Sequence, residues 1–111
     1  MMWSDLVRDI LKKGSFLSDE GIYNWALTKT DALIALDELF AIRVAILGGD
    51  VCSKIDGRYS LVGDNWYCDR NESESHDEFL IRSYNVAKKY IEKYDDLSGC
   101  SYFIIVPEDH S

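Results

Sequence analysis

The sequence predicts an α+β domain: a small, mainly antiparallel sheet, formed by a hairpin or meander plus a C-terminal strand, covered by about three helices. Three observations predict it. Apolar residues recur at helical spacing in 3–13, 31–42 and 76–94. Between them, residues 43–69 are rich in β-branched and aliphatic side chains and are broken by Asp56-Gly57, a strong hairpin signal. Residues 101–106, SYFIIV, form an uninterrupted apolar run that Pro107 stops.

The elements follow in chain order. In 3–13, Trp3, Leu6, Val7, Ile10 and Leu11 share one face, and Gly14 can end the helix. Residues 14–31 read as a turn-rich connector with a helical turn around Ile22–Leu27 and Ser18 as its cap. Residues 31–42 form the clearer helix, capped by Thr30 or Asp31, with Leu33, Leu36, Leu39 and Phe40 as its buried stripe. RVAILGGDVCSK is a strand, IDGR a turn, and RYSLV the returning strand. GDNWYCD is a second turn leading into a third strand or an extension of the second. Ser75 and Glu78 form a capping box ahead of a helix over 76–94, whose Leu80, Tyr84, Ala87, Ile91 and Tyr94 face inward. The turn DDLSGC follows. SYFIIV has no polar face and is therefore expected at the centre of the sheet.

Composition narrows the function. The 111 residues make one domain, 1–111, with no linker, repeat or low-complexity tract. A chain of this size buries roughly two-thirds of its unfolded surface. The net charge of −8 opposes nucleic-acid and anionic-membrane binding, which require basic surfaces; it suits a basic protein partner, and equally an acidic surface that only keeps a small cytosolic protein dispersed. No apolar run approaches the ~20 residues of a membrane span. The first residues carry Asp5 and Asp9 and do not form a signal peptide. Three cysteines, Cys52, Cys68 and Cys100, fit neither a disulfide framework nor a zinc pattern, so a cytoplasmic, reducing location is expected.

Two places invite a site. Gly48-Gly49-Asp50 ends an apolar run, as phosphate loops do. It lacks the Lys-Ser/Thr of a Walker loop and the spacing of a dinucleotide loop. It also lacks the Glu-Phe that follows Gly-Gly-Asp in cyclic-dinucleotide synthases. Two glycines in a strand mark a bulge or a close approach. His76 and His110 have no companion histidine at ligand spacing and read as solvated surface residues, so no catalytic residue, metal or cofactor is assigned. The second place is a concentration of acids: Asp64, Asp69, Glu72, Glu74, Asp77 and Glu78 surround Trp66 and Tyr67 and are opposed only by Arg70. Aromatic anchors ringed by carboxylates suit an interface for a basic protein. The same residues also fit a strand with Trp66 inside, followed by a solvated loop.

GIYNWALTKTDALIALDEL, VAILGGDV, GDNWYCD, SYNVAKKYIEKY and the YFIIV strand occur in an order that resembles the immunity protein 40 family, over roughly residues 20–106. That resemblance implies a bacterial, intracellular α+β protein encoded beside a polymorphic toxin, which binds the toxin's C-terminal domain and blocks it. Many such toxins are nucleases with basic clefts. The resemblance assigns no contact residues. Charge and aromaticity alone nominate Asp50, Asp64, Trp66, Tyr67, Asp69, Glu72 and Glu74 as partner-binding. Reversing Asp69, Glu72 and Glu74 together is expected to weaken binding and spare the fold. The alternative is a small metal- or ligand-binding enzyme domain that uses Asp50 beside Gly48-Gly49.

Overall fold

The computed structural model describes residues 3–96 and 99–108; His110 and part of the DDLSGC turn lie outside them. Three α-helices and two antiparallel sheets make the α+β architecture. Helix α1, Asp5–Leu11, starts at Ser4, whose hydroxyl accepts from the Val7 N–H. It buries Trp3, Val7, Ile10 and Leu11. Leu6 is turned to solvent, off the expected face, and Lys12 caps the helix ahead of Gly14. Gly14 is needed for packing: a Cβ there would lie 2.3 Å from the Ala26 carbonyl oxygen.

The connector differs from expectation. Strands β1, Ser15–Phe16, and β2, Trp25–Ala26, form a two-residue ladder, and a 3-10 turn at Ser18–Glu20 lies between them. Ser18 does not cap that turn, which starts at Leu17 without a side-chain cap, and the region around Ile22–Leu27 is extended. Tertiary pairing decides this, because Leu27 exchanges both backbone hydrogen bonds with Phe103. Helix α2, Lys29–Ala41, begins earlier than expected, at Thr28, whose hydroxyl accepts from the Asp31 N–H. It buries Ala32, Ala35, Leu36 and Leu39, while Leu33 is half-buried and Phe40 lies on the rim against Tyr84.

Strands β3, Ile46–Ile55, and β4, Arg58–Tyr67, form one long hairpin. Asp56 and Gly57 both take positive φ, 52° and 78°, as a two-residue type I′ turn requires. GDN is therefore no second turn. The register passes from Cys52↔Leu61 to Asp50↔Asn65, so Val62, Gly63 and Asp64 bulge opposite Val51. Helix α3, His76–Lys93, opens with the full capping box of Ser75 and Glu78. Strand β5, Ser101–Pro107, completes the sheet in the order β4-β3-β5. The centre is thus β3, not the apolar SYFIIV. Strand β5 is apolar because both of its faces are buried, not because both of its edges are paired with strands.

The helices cover one face of this sheet, where Val51, Phe103 and Ile105 join the apolar residues of α1, α2 and α3. On the opposite face Leu17 and Ala26, from the N-terminal hairpin, cover Cys52 and Ile104. The outer edge of β5 is met at every second residue. Phe103 pairs with Leu27, Asn24 Nδ2 donates to the Ile105 carbonyl at 2.8 Å, and Trp3 Nε1 donates to the Pro107 carbonyl at 3.2 Å. Asp96 accepts from the Ser101 N–H at 3.2 Å.

Gly48 and Gly49 serve packing of the central strand. A Cβ at Gly48 would lie 2.4 Å from the Trp66 carbonyl oxygen. One at Gly49 would lie 2.2 Å from the Trp66 ring and 2.4 Å from the Ile104 carbonyl oxygen. The indole therefore rests directly on the Gly49 backbone. Gly49→Ala is expected to destabilise the fold by about 1–3 kcal/mol in urea unfolding, with a changed Trp fluorescence, because the ring and β5 must both shift.

Candidate functional site

The nominated residues do not form one surface. Along β4, Asp64 and Trp66 face the helices, whereas Asn65 and Tyr67 face the other side together with Asp50. Trp66 is 7% exposed and stacks on Tyr90 with centroids 4.9 Å apart. It is an interior residue, so the strand-with-Trp66-inside arrangement left open by the sequence is the one present. Tyr67 is 77% exposed. Asp64 accepts a 2.7 Å hydrogen bond from the Tyr94 hydroxyl, which ties β4 to the end of α3. That bond, with burial and the Asp64 charge, pushes the Tyr94 phenol up to about 12. Burial raises the Tyr90 phenol, aided by the charges of Asp64 and Asp50.

The loop after β4 is organised by Arg82, which sequence reasoning missed. Its Nε donates to Glu74 Oε2 at 2.6 Å and its Nη2 to Glu74 Oε1 at 2.8 Å, a bidentate fork. The same Nη2 donates to the Asp69 carbonyl at 2.6 Å, and Nη1 approaches Cys68 Sγ at 3.1 Å. Glu74 Oε1 also accepts from the Asn71 N–H at 3.1 Å. These bonds hold the Glu74 carboxyl down at about 2 and raise the Arg82 guanidinium. Glu74 is thus a structural acid, contrary to the expectation that reversing it spares the fold. Asp77 is paired with Arg43, and Glu78 is occupied by the capping box.

Three of the nominated carboxylates are left over. The side chains of Asp50, Asp69 and Glu72 make no hydrogen bond or ion pair with the described residues. Asp69 and Glu72 are exposed, and Asp50 is half-buried. Asp50 sits across from Asn65 and beside the Gly48–Tyr67 pair. Leu47, Asp50, Asn65, Tyr67 and Val106 line a shallow hollow of about 220 Å³ whose floor is Gly48 and Gly49. Its chemistry is one exposed phenol ring, aliphatic side chains, an amide and one unpaired acid. No group of three His, Cys, Asp or Glu side chains among the described residues is placed to share a metal.

The remaining groups with reactive chemistry are occupied or buried. His76 is not a solvated surface histidine: its Nε2 lies 2.8 Å from Glu108 Oε2, which also accepts from the Ala45 N–H at 2.6 Å. Cys52 and Cys68 are buried thiols outside any disulfide. Burial, then the charges of Asp50 and Glu20, push the Cys52 thiol up to about 11, so it is protonated and a poor nucleophile at neutral pH.

The chain matches the model of one protein family, Immunity protein 40, across residues 16–107. It belongs to the immunity protein 40 family. No curated protein and no solved structure matches it. In this family member, no helix among the described residues is long and apolar enough to cross a membrane.

The Glu74–Arg82 fork gives this immunity protein a specific acid response. The folded carboxyl titrates near 2 and the free one near 4.5, so its contribution is complete above pH 4.5 and is lost as pH falls toward 2. Urea unfolding followed from pH 7 to 2 is expected to show this loss in the wild type. Glu74→Gln should be less stable at pH 7 and flatter across that window. For Tyr94 the sign is reversed: its contribution is present below pH 10 and is lost as pH rises through about 12. Asp64→Asn should remove that alkaline loss.

Proposed function

We propose that this chain neutralises a cognate toxin domain by binding it one-to-one, without catalysis, in the cytoplasm of the bacterium that makes the toxin. Membership of the immunity protein 40 family over most of the chain is the observation that carries this reading. The distribution of charge supports a basic partner. The net charge of −8 favours encounter with a cation, and the carboxylates of Asp50, Asp69 and Glu72 are unpaired, with Asp50 on the same face as the exposed ring of Tyr67. In this reading Tyr67 is the desolvated anchor, and the three acids set orientation and on-rate. Asp64 and Glu74 act through the scaffold: one fixes β4 to α3, and the other holds the loop that carries Asp69 and Glu72. Trp66 supports the strand from behind. A basic nuclease-type cleft is the toxin chemistry that fits best.

The test uses the purified toxin domain encoded beside this gene, with stopped-flow association and calorimetry at low and high salt. Binding is expected at a one-to-one ratio, with association slowing steeply as salt rises. The double variant Asp69→Lys/Glu72→Lys should keep its unfolding midpoint and lose about tenfold in association rate at low salt. Glu74→Lys should instead lower the midpoint, because Arg82 then faces a cation. Unchanged association in the double variant would move the contact surface elsewhere. No toxin binding by the wild type would remove the reading.

A further inference from the structure

The two edges of the main sheet differ. On β5, the Ser101 N–H is met by Asp96, both Phe103 groups by Leu27, the Ile105 carbonyl by Asn24 and the Pro107 carbonyl by Trp3, and Pro107 has no N–H to offer. On β4 the register shows which groups point outward. The Cys68 N–H donates to the Leu47 carbonyl at 2.8 Å, which makes Gly48–Tyr67 a non-hydrogen-bonded pair. Alternation then turns the N–H and C=O of Asn65 and Tyr67 away from β3. Beyond the bulge the same alternation turns Leu61 and Tyr59 outward. Among the described residues, no hydrogen bond from another segment reaches these four backbones. Strand β4 contains neither proline nor lysine, the usual edge protections. Its bulge at Val62–Asp64 separates the two open stretches but covers neither.

We propose that the β4 edge at Asn65 and Tyr67 seats an extended segment of the toxin, which adds a fourth strand to the sheet. This rests on the neutralisation reading above and specifies where and how it is carried out. The surroundings define the segment's chemistry. Alternate side chains of an added strand fall on opposite faces. On the face of Tyr67, a cationic side chain meets the phenol ring and reaches toward the unpaired Asp50. On the helix face lies a groove of about 500 Å³ lined by Val86, Lys89, Tyr90, Lys93, Tyr94 and Asp95. The Tyr90–Trp66 stack and the Tyr94–Asp64 bond place this groove beside β4. Its Val86 and Tyr90 accept apolar side chains, and its two lysines repel basic ones. The segment that fits therefore alternates basic and apolar residues in a single register. A second copy of this chain fits poorly. Two chains that each carry a net charge of −8 repel one another.

Hydrogen exchange of the chain, alone and bound to the purified toxin domain encoded beside its gene, tests this. The expected result is slowing of the Asn65 and Tyr67 amides by about tenfold or more in the complex. Tyr67→Pro removes an outward N–H and no inner ladder bond, so it should weaken binding about tenfold beyond Tyr67→Ala. The exchange measurement needs no variant, so it stands if Tyr67→Pro does not fold. Toxin bound with both amides exchanging as in the free chain would overturn the seat and leave the neutralisation reading intact. Protection of the same amides in the free chain, with dimers in sedimentation, would assign the edge to a second copy and overturn the proposal. A toxin that does not bind at all would sink both readings.

Discussion

The contact between the Trp66 indole and the bare backbone of Gly49 is the constraint on which the rest depends. It brings β4 close against β3 and puts a large ring under α3, where Tyr90 stacks on it. The ring fills the space between helix and sheet that no side chain from β3 could fill at that point. From this follows the position of Asp64 on that strand. Asp64 reaches Tyr94 because Trp66 already holds the strand and helix together two residues away. Tyr67, next along the strand, is turned to the opposite face and left exposed for the same reason.

Charge is divided between structure and surface. Twenty acidic residues against twelve basic ones leave an excess that cannot all be paired. Where a cation is available, as with Arg82 and Glu74, the acid shapes the backbone through hydrogen bonds to specific groups. Of the unpaired acids, Asp50 lies near the end of the β3–β4 ladder, and Asp69 and Glu72 lie on the loop that follows it. Fixing a loop with one acid so that its neighbours point outward gives them a defined position, which reduces the ordering entropy lost when a partner binds.

Much of the fold was legible locally. The Ser75–Glu78 box, the Asp56-Gly57 turn and the apolar stripes of α2 and α3 all rest on interactions within a few residues, so sequence spacing reports them. Sheet order was not legible. SYFIIV is apolar because its two faces are buried, while the polar-looking stretch with Gly48, Gly49 and Asp50 sits in the middle, where its edges rather than its faces are most enclosed. The Trp25–Ala26 strand was missed because two residues have no periodicity, and only the distant Phe103 gives Leu27 its extended form. The interface guess mixed structural and free acids for the same reason. Glu74 meets Arg82 eight residues away and Asp64 meets Tyr94 thirty residues away, and neither spacing has a local signature.

The closure of β5 by the N-terminal segment has a consequence for synthesis. Trp3 and Pro107 are joined across 104 residues, and Asn24 and Ile105 across 81. Helix α1 and the β1–β2 hairpin cannot settle until β5 lies against β3. Folding therefore waits on β5 and depends on non-local contacts, which makes it slow relative to a helical bundle of equal length. A nascent chain stalled short of Pro107 has an unfinished core and two open edges. Only chains in which β5 is in place present the assembled surface, so the N-terminal segment and β5 form one cooperative unit.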